Sequence, residues 1–176
     1  ESVFKDFCFV VCRHYYINAF HVLLTLAWNI NLYISNTHGG YMRVFITGGA
    51  GFIGSHVTSA VLDAGHEATV FDDLSSGYRE YVDPRADFVH ADIANKEILV
   101  ESMKGHDAVV HLASENNITD SLARPAWCLK RNVNHAVDVL EAMRHHGIKK
   151  IVFSSSAAVY GEKNARLMDH GKLDSY

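Results

Sequence analysis

Cysteine is scarce in this chain, and the three present, Cys8, Cys12 and Cys128, are odd in number and stand at no disulfide-framework or zinc-ligand spacing. They read as reduced thiols, as expected of a cytoplasmic protein. Runs of like charge are also lacking. Sixteen Lys and Arg are interspersed with twenty Asp and Glu for a net charge of −4, which leaves neither a nucleic-acid face nor a polybasic membrane patch. The twelve histidines are scattered, and the one close pair, His145-His146, falls at a helix C-terminus where a positive or dipolar group is favourable anyway. No metal site is expected. Length sets a further limit, because 176 residues give room for one domain with a sizeable core and not for a complete two-domain enzyme.

What the chain does have is a glycine-rich turn between two apolar patterns. Met42–Thr47 has the β-branched and aromatic content of a buried strand, Phe52–Ala64 reads as a helix ended by Gly65, and Gly48-Gly-Ala-Gly51 joins them. Gly49, Gly51 and Gly54 satisfy G-x-G-x-x-G, while Gly48, Gly51 and Gly54 satisfy G-x-x-G-x-x-G. Glycine here permits a tight turn, close helix–strand packing and close approach of backbone to a dinucleotide pyrophosphate, with the helix N-terminus offering its unpaired N–H groups to the anion. The next strand, Glu67–Phe71, ends in Asp72, placed to accept hydrogen bonds from an adenosine ribose. An acid there favours NAD, since it repels a 2′-phosphate. Strand, glycine turn, helix, strand and acid fall in order within about 30 residues, as a dinucleotide-binding unit requires. Taken alone, Asp72-Asp73 with Ser75, Ser76 and Gly77 also reads as an ordinary turn.

Strand and helix continue to alternate beyond that unit. Asp87–His90 leads to Asp92 and Ile93, a short helix from Asn95 to Lys104 is stopped by Gly105, and Ala108–Leu112 is the near-continuous apolar run of a strand buried on both faces. A loop is expected as far as Pro125. From Pro125 to His146 the spacing predicts one helix, with Leu129, Val133, Ala136, Val137, Leu140 and Met143 on its apolar face and Gly147 ending it. A fifth strand, Lys150–Phe153, delivers Ser154, Ser155 and Ser156. The expected fold is α/β, a Rossmann-type doubly wound parallel sheet with ligand across the carboxyl ends of its strands, truncated after about the fifth strand with its outer edge unpaired.

Residues 1–41 stand outside this alternation. No Asp, Glu, Lys or Arg occurs from His14 to Met42, and residues 15–34 are apolar over a length that spans a bilayer. Asn18, His21, Thr25 and Asn29 nevertheless fall on one helical stripe, which suits a helix packed on something else. Three readings stay open: upstream sequence read through ahead of Met42, a membrane anchor, and a docking helix. A secretory signal fits poorly, as no small-residue cleavage site follows.

Several motifs carry a family resemblance. They are Gly48, Gly51, Phe52, Ile53 and Gly54 in the glycine turn, Asp72, Asp73 and Leu74 after the second strand, and the Asp92-Ile93 pair. His111-Leu112-Ala113-Ser114, Ser121 with Pro125, Asn132 within Asn-Val-Asn134, and Phe153-Ser-Ser-Ser-Ala-Ala-Val-Tyr-Gly161 complete the set. Over roughly Met42 to Gly161 the chain resembles the extended short-chain dehydrogenase/reductase family, and within it the NAD-dependent nucleotide-sugar epimerases of the UDP-glucose 4-epimerase kind. The resemblance implies an NAD-binding domain over 42–161, flanked by a non-family extension at 1–41 and an atypical tail at 162–176. It implies pyrophosphate contacts at the glycine turn, an adenosine-ribose segment at Asp72–Leu74, adenine contacts at Asp92 and Ile93, and a strand end at Leu112–Ser114 beneath the nicotinamide ribose. Ser75, Ser76, Gly77, Asn132 and Ser154 join that cofactor set, Ser121 is implied on the substrate side, and Ser156 aligns with the catalytic Ser or Thr.

The resemblance also separates activities. Ala157 and Ala158 stand where sugar-nucleotide dehydratases carry an Asp-Glu pair, and alanine transfers no proton, which disfavours dehydration and decarboxylation; Glu115 nevertheless follows its strand as a glutamate does in dehydratases, so a sugar-nucleotide reductase or dehydratase is the alternative within the family. Arg131 replaces a frequent asparagine and His135 a frequent glycine, so different packing is expected on the nicotinamide side. In the family, a Tyr phenolate takes the sugar 4-hydroxyl proton while hydride passes to NAD, and a Lys lowers the Tyr pKa. That Tyr-x-x-x-Lys is expected beyond Ser156, yet Tyr176 is the last residue here and no lysine follows it. The expectation is thus the cofactor-binding part of an epimerase acting on a nucleotide-sugar such as a UDP-hexose, inactive as given and dimeric only when complete. The competing reading is a non-catalytic NAD-binding or interaction module.

Overall fold

The computed structural model describes residues 40–154 and the backbone of Asp6–Val10. Six strands form one parallel sheet: β1 (Asp6–Val10), β2 (Arg43–Thr47), β3 (Glu67–Asp72), β4 (Asp87–His90), β5 (Ala108–His111) and β6 (Lys150–Ser154). Their spatial order is β1-β6-β5-β2-β3-β4. The helices between them are α1 (Phe52–Asp63), α2 (Lys96–Met103), α3 (Ile118–Ala123), α4 (Pro125–Leu129) and α5 (His135–His146). A short 3₁₀ turn covers Arg79–Tyr81.

Because side chains alternate across a strand, β2 supplies both halves of the core. Val44 and Ile46 pack toward α1 with Val57 and Val61, while Phe45 points the other way, into a cluster with Phe71, Leu99, Met103, Val139 and Met143 from β3, α2 and α5. Helices cover both faces of the central strands, which is why those strands read as unbroken apolar runs instead of alternating ones. Order reverses at β2, which pairs with β3 on one side and β5 on the other. A sheet of this kind binds ligands in the crevice beyond its strand ends at such a reversal.

Three features depart from the sequence reading. First, the outer edge of β6 is not left open: Asp6–Val10 pairs with it in parallel, in register from Asp6 opposite Lys150 to Val10 opposite Ser154. A strand from outside the alternating series therefore occupies the sixth place of the sheet. Second, the expected loop before Pro125 contains α3, because the Asn117 side chain accepts a hydrogen bond from the Asp120 amide and caps a turn of helix.

Third, the helix from Pro125 to His146 is not uniformly α. Residues Lys130–Asn134 form a π turn between α4 and α5. The wider turn shifts the helix phase, so that the apolar stripe drawn at regular spacing does not continue across it. Leu129, Val133 and Val137 are 63 %, 49 % and 50 % exposed, while Cys128, His135, Val139, Ala142 and Met143 are buried. Gly147, at φ 70°, ends α5 in the left-handed conformation that glycine adopts without strain. The 15–34 stretch and Ser155–Tyr176 lie outside the described residues. Within the described ones, no helix is long and apolar enough to cross a membrane.

This phase shift has a measurable consequence. Met143→Ala is expected to cost about 2–5 kcal/mol and Leu129→Ala no more than about 0.5 kcal/mol. Urea unfolding of the two variants checks it, and equal losses would mean that one unbroken stripe packs on the sheet.

Candidate cofactor site

Close packing shapes the turn after β2. A Cβ added at Gly48 would lie 2.7 Å from the Ala113 nitrogen, one at Gly49 2.7 Å from a Val70 methyl, and one at Gly54 2.1 Å from the Gly48 carbonyl oxygen. These three glycines are demanded by the protein's own strands and helix. Gly51 differs, since a Cβ there would meet only the Gly48 oxygen, at 3.4 Å. Its bare side faces open space at the N-cap of α1, where no side chain caps the helix. The amides of Phe52, Ile53 and Gly54 open that helix, so its positive end stands ready for an anion. The Phe52 ring itself is exposed against His56, at 5.1 Å between centroids. Only its backbone belongs to the cradle.

Asp72 is buried and fastens the turn. Oδ2 accepts from the Ala50 amide at 2.9 Å and Oδ1 from the Leu74 amide at 2.8 Å, and Leu74 adopts φ 58° to make that bend. The following turn closes back on the glycine loop through Tyr78 N–H to the Ala50 carbonyl, 3.0 Å, where a Cβ on Gly77 would strike Ala50 at 2.8 Å. Each Asp72 oxygen keeps a second lone pair for a ligand hydroxyl. The sequence offered this acid either as a ribose acceptor or as the opening of a turn; the bond to the Ala50 amide, which ties it to the glycine loop, was not anticipated.

The crevice over the strand ends is lined by Gly48, Asp72, Asp73, Ser75, Ser76 and, across from them, Asp92 and Ile93. Ala113, Ser114 and Glu115 after β5 form its floor, and Arg131 and His135 approach from the helix side. Arg131 and His135 stand beside Asp73 and Asp92. One Arg131 nitrogen lies 2.7 Å from Asp73 Oδ2 and another 3.2 Å from Asp92 Oδ2, and the guanidinium sits 5.5 Å from the centre of the Trp127 ring. Burial alone would raise the Asp73 carboxyl. Hydrogen bonds from the Ser75 hydroxyl and amide and from Arg131 outweigh it and hold the group below the usual carboxylate range.

Asn132 is not among the residues lining the crevice. Its carbonyl oxygen accepts from the Glu115 amide at 2.7 Å and its amide donates to the Glu115 carbonyl at 2.9 Å, so it clamps the backbone that follows the β5 end. Leu112 is half-buried there, with its amide on the Thr47 carbonyl at 3.1 Å. Ser121 lies in α3, where its hydroxyl donates to the Asn117 carbonyl at 2.9 Å, and it does not line the crevice. Ser154 ends β6, while Ser156 falls outside the described residues.

Beneath the crevice, the Thr47 hydroxyl and His111 Nδ1 are 2.7 Å apart. Burial, with a smaller contribution from His135, pushes the His111 imidazole down to about 4. Burial also lowers His135, against the pull of Asp92, and lowers His106, whose ring is bonded between Thr69 and Met103.

A glycine cradle at a helix N-terminus, an acid closing β3, and a crevice at the point of strand reversal together define a Rossmann-type dinucleotide-binding protein. The chain belongs to the NAD dependent epimerase/dehydratase family, whose pattern matches residues 44–174. It is 43% identical over 123 residues to the UDP-glucose 4-epimerase of Lacticaseibacillus casei, covering 69% of this chain and 37% of that protein. To the Azospirillum brasilense UDP-glucose 4-epimerase it is 44% identical over 121 residues, 68% of this chain and 35% of that one. Among solved structures, the Thermus thermophilus UDP-glucose 4-epimerase in complex with NAD aligns with a TM-score of 0.69 at 34% identity, over 76% of this chain and 44% of that one. The chain thus spans little more than a third of the length of the first two relatives.

The buried histidines predict how stability depends on pH. Below the unfolded value of about 6.5, the unfolded chain binds protons at His111 and His106 that the folded chain refuses, so stability is full above about pH 6.5 and falls as the pH drops toward 4. His111 contributes up to about 3 kcal/mol of that loss. Urea titrations between pH 7 and pH 4 check it, and His111→Gln is expected to flatten the curve.

Proposed function

We propose that this chain is the cofactor-binding part of an NAD-dependent nucleotide-sugar 4-epimerase whose substrate is a UDP-hexose. The observation that carries the reading is the uncapped, open-faced Gly51 at the start of α1, set beside the acid-lined crevice in a chain of the epimerase family. NAD, when bound, would supply reversible hydride acceptance. The first-turn amides of α1 offset the pyrophosphate charge. Asp72 offers its free lone pairs to the adenosine ribose, and Asp92 and Ile93 flank the adenine. Leu112–Ser114 support the nicotinamide ribose, held in place by the Asn132 clamp on Glu115. Ser156 holds the sugar oxygen. The side chains of Ala157 and Ala158 carry no acid–base group, which favours epimerisation over dehydration.

Two variants separate binding from folding. A Cβ at Gly51 meets the Gly48 oxygen only at ordinary contact distance, so Gly51→Val is expected to keep its ligand-free melting temperature near wild type while NAD affinity falls by about tenfold or more. Gly54→Ala puts a methyl onto the Gly48 carbonyl and should lower the melting temperature itself. Calorimetric NAD titration and thermal melts read both, and undiminished NAD binding by Gly51→Val would refute the cradle.

Catalysis needs more than this set. A serine hydroxyl at neutral pH is too weak a base to deprotonate a sugar hydroxyl, and positioned acid–base groups contribute roughly 10²–10⁴-fold. Residues 1–176 are expected to bind NAD without converting UDP-galactose to UDP-glucose in a coupled assay. Turnover that disappears in Ser156→Ala would show instead that Tyr160 or Tyr176 supplies the base.

A further inference from the structure

The acids of the crevice are already engaged before any ligand arrives. Each oxygen of Asp72 holds a backbone amide, Asp73 Oδ1 accepts from the Ser75 amide at 2.9 Å and from its hydroxyl, and Asp92 Oδ1 accepts from the Ala94 amide at 2.9 Å. The remaining oxygens of Asp73 and Asp92 both face one group, the Arg131 guanidinium. Among the described residues lining the crevice, Arg131 is the only Lys or Arg, set against Asp72, Asp73, Asp92 and Glu115. Each of its two terminal nitrogens already donates to a carboxylate. The π turn of Lys130–Asn134 is the segment that carries it.

We propose that Arg131 is a specificity-determining residue at the adenosine end of the crevice: bound to Asp73 and Asp92, it is withheld from a 2′-phosphate, and it becomes the receptor for one when Asp73 releases it. This rests on the reading of the crevice as an NAD site. Asp73 is the neighbour of the ribose acceptor Asp72, so the guanidinium ends one residue along the chain from the ribose contact. A guanidinium binds phosphate with the same two-pronged geometry it uses for carboxylate. A phosphate brought to the wild-type site must compete with Asp73 for that fork while facing the uncompensated charge of Asp72. Selectivity for NAD is therefore divided between a repelling acid and a cation held in reserve. Asp73→Asn keeps the side chain's size and its acceptor for Ser75, removes one negative charge, and frees one prong of the fork.

The test is calorimetric titration of NAD and NADP against the wild-type chain, Asp73→Asn, Arg131→Gln and the double variant, with ligand-free circular dichroism to verify the fold and Asp73→Ser as the substitute if Asp73→Asn does not fold. Wild type is expected to prefer NAD. Asp73→Asn should shift the NAD-to-NADP affinity ratio by about tenfold or more toward NADP, and the shift should vanish in the double variant. Arg131→Gln alone should gain no NADP affinity. An equal shift with and without Arg131 would show that lost repulsion explains everything and would overturn the proposal, as would an unchanged ratio in Asp73→Asn. Failure of the wild type to bind NAD would overturn the cofactor-site reading itself, and this inference with it, whereas NAD binding with an unchanged ratio overturns this inference alone.

Discussion

The ligand end of this protein depends on how closely three backbone segments approach one another. The 2.1 Å between the Gly48 carbonyl and the place a Gly54 Cβ would occupy leaves no room for any side chain, so α1 starts almost in contact with the end of β2. Its first amides are thereby aimed over the strand ends and not along the sheet face. The same closeness brings Ala50 within reach of Asp72, whose carboxylate then ties the glycine turn to the turn after β3. One steric constraint thus fixes both the anion-binding helix end and the acid beside it.

The charge arrangement follows from that geometry. Parallel strands end together, so acids at the ends of β3 and β4 gather on one rim of the crevice. Such a rim is self-repelling unless a cation is placed among its members. Arg131 serves that purpose, it and Asp73 each about a quarter exposed, far enough from bulk water for the pairing to matter and near enough for the side chains to exchange partners. Burial lowers the pKa of the histidines below the rim, so they add no positive charge there near neutral pH.

Much of this was legible in the sequence because it is encoded locally. Glycine spacing, the acid at the end of β3 and the buried runs of β2 and β5 are written in contiguous residues, and the strands fall where those patterns put them. What was hidden depends on non-local geometry. Nothing at positions 6–10 announces a partner at 150–154, because edge pairing uses backbone groups that every residue carries. The π turn is equally silent, since helical periodicity assumes a constant pitch and Leu129 and Val133 fit that pitch well. Arg131 was seen as a departure from the family pattern, but its side appeared only once the strand ends were brought together.

The reciprocal hydrogen bonds between Asn132 and the Glu115 backbone join a loop to a helix on equal terms. Glu115 lies in a connection without regular structure, yet both its amide and its carbonyl are satisfied by a side chain rooted in the π turn. The crevice floor is thereby tethered to the helix through one side chain, and the Glu115 amide is shielded from solvent exchange for as long as that pair is made, unlike the amides of an untethered loop.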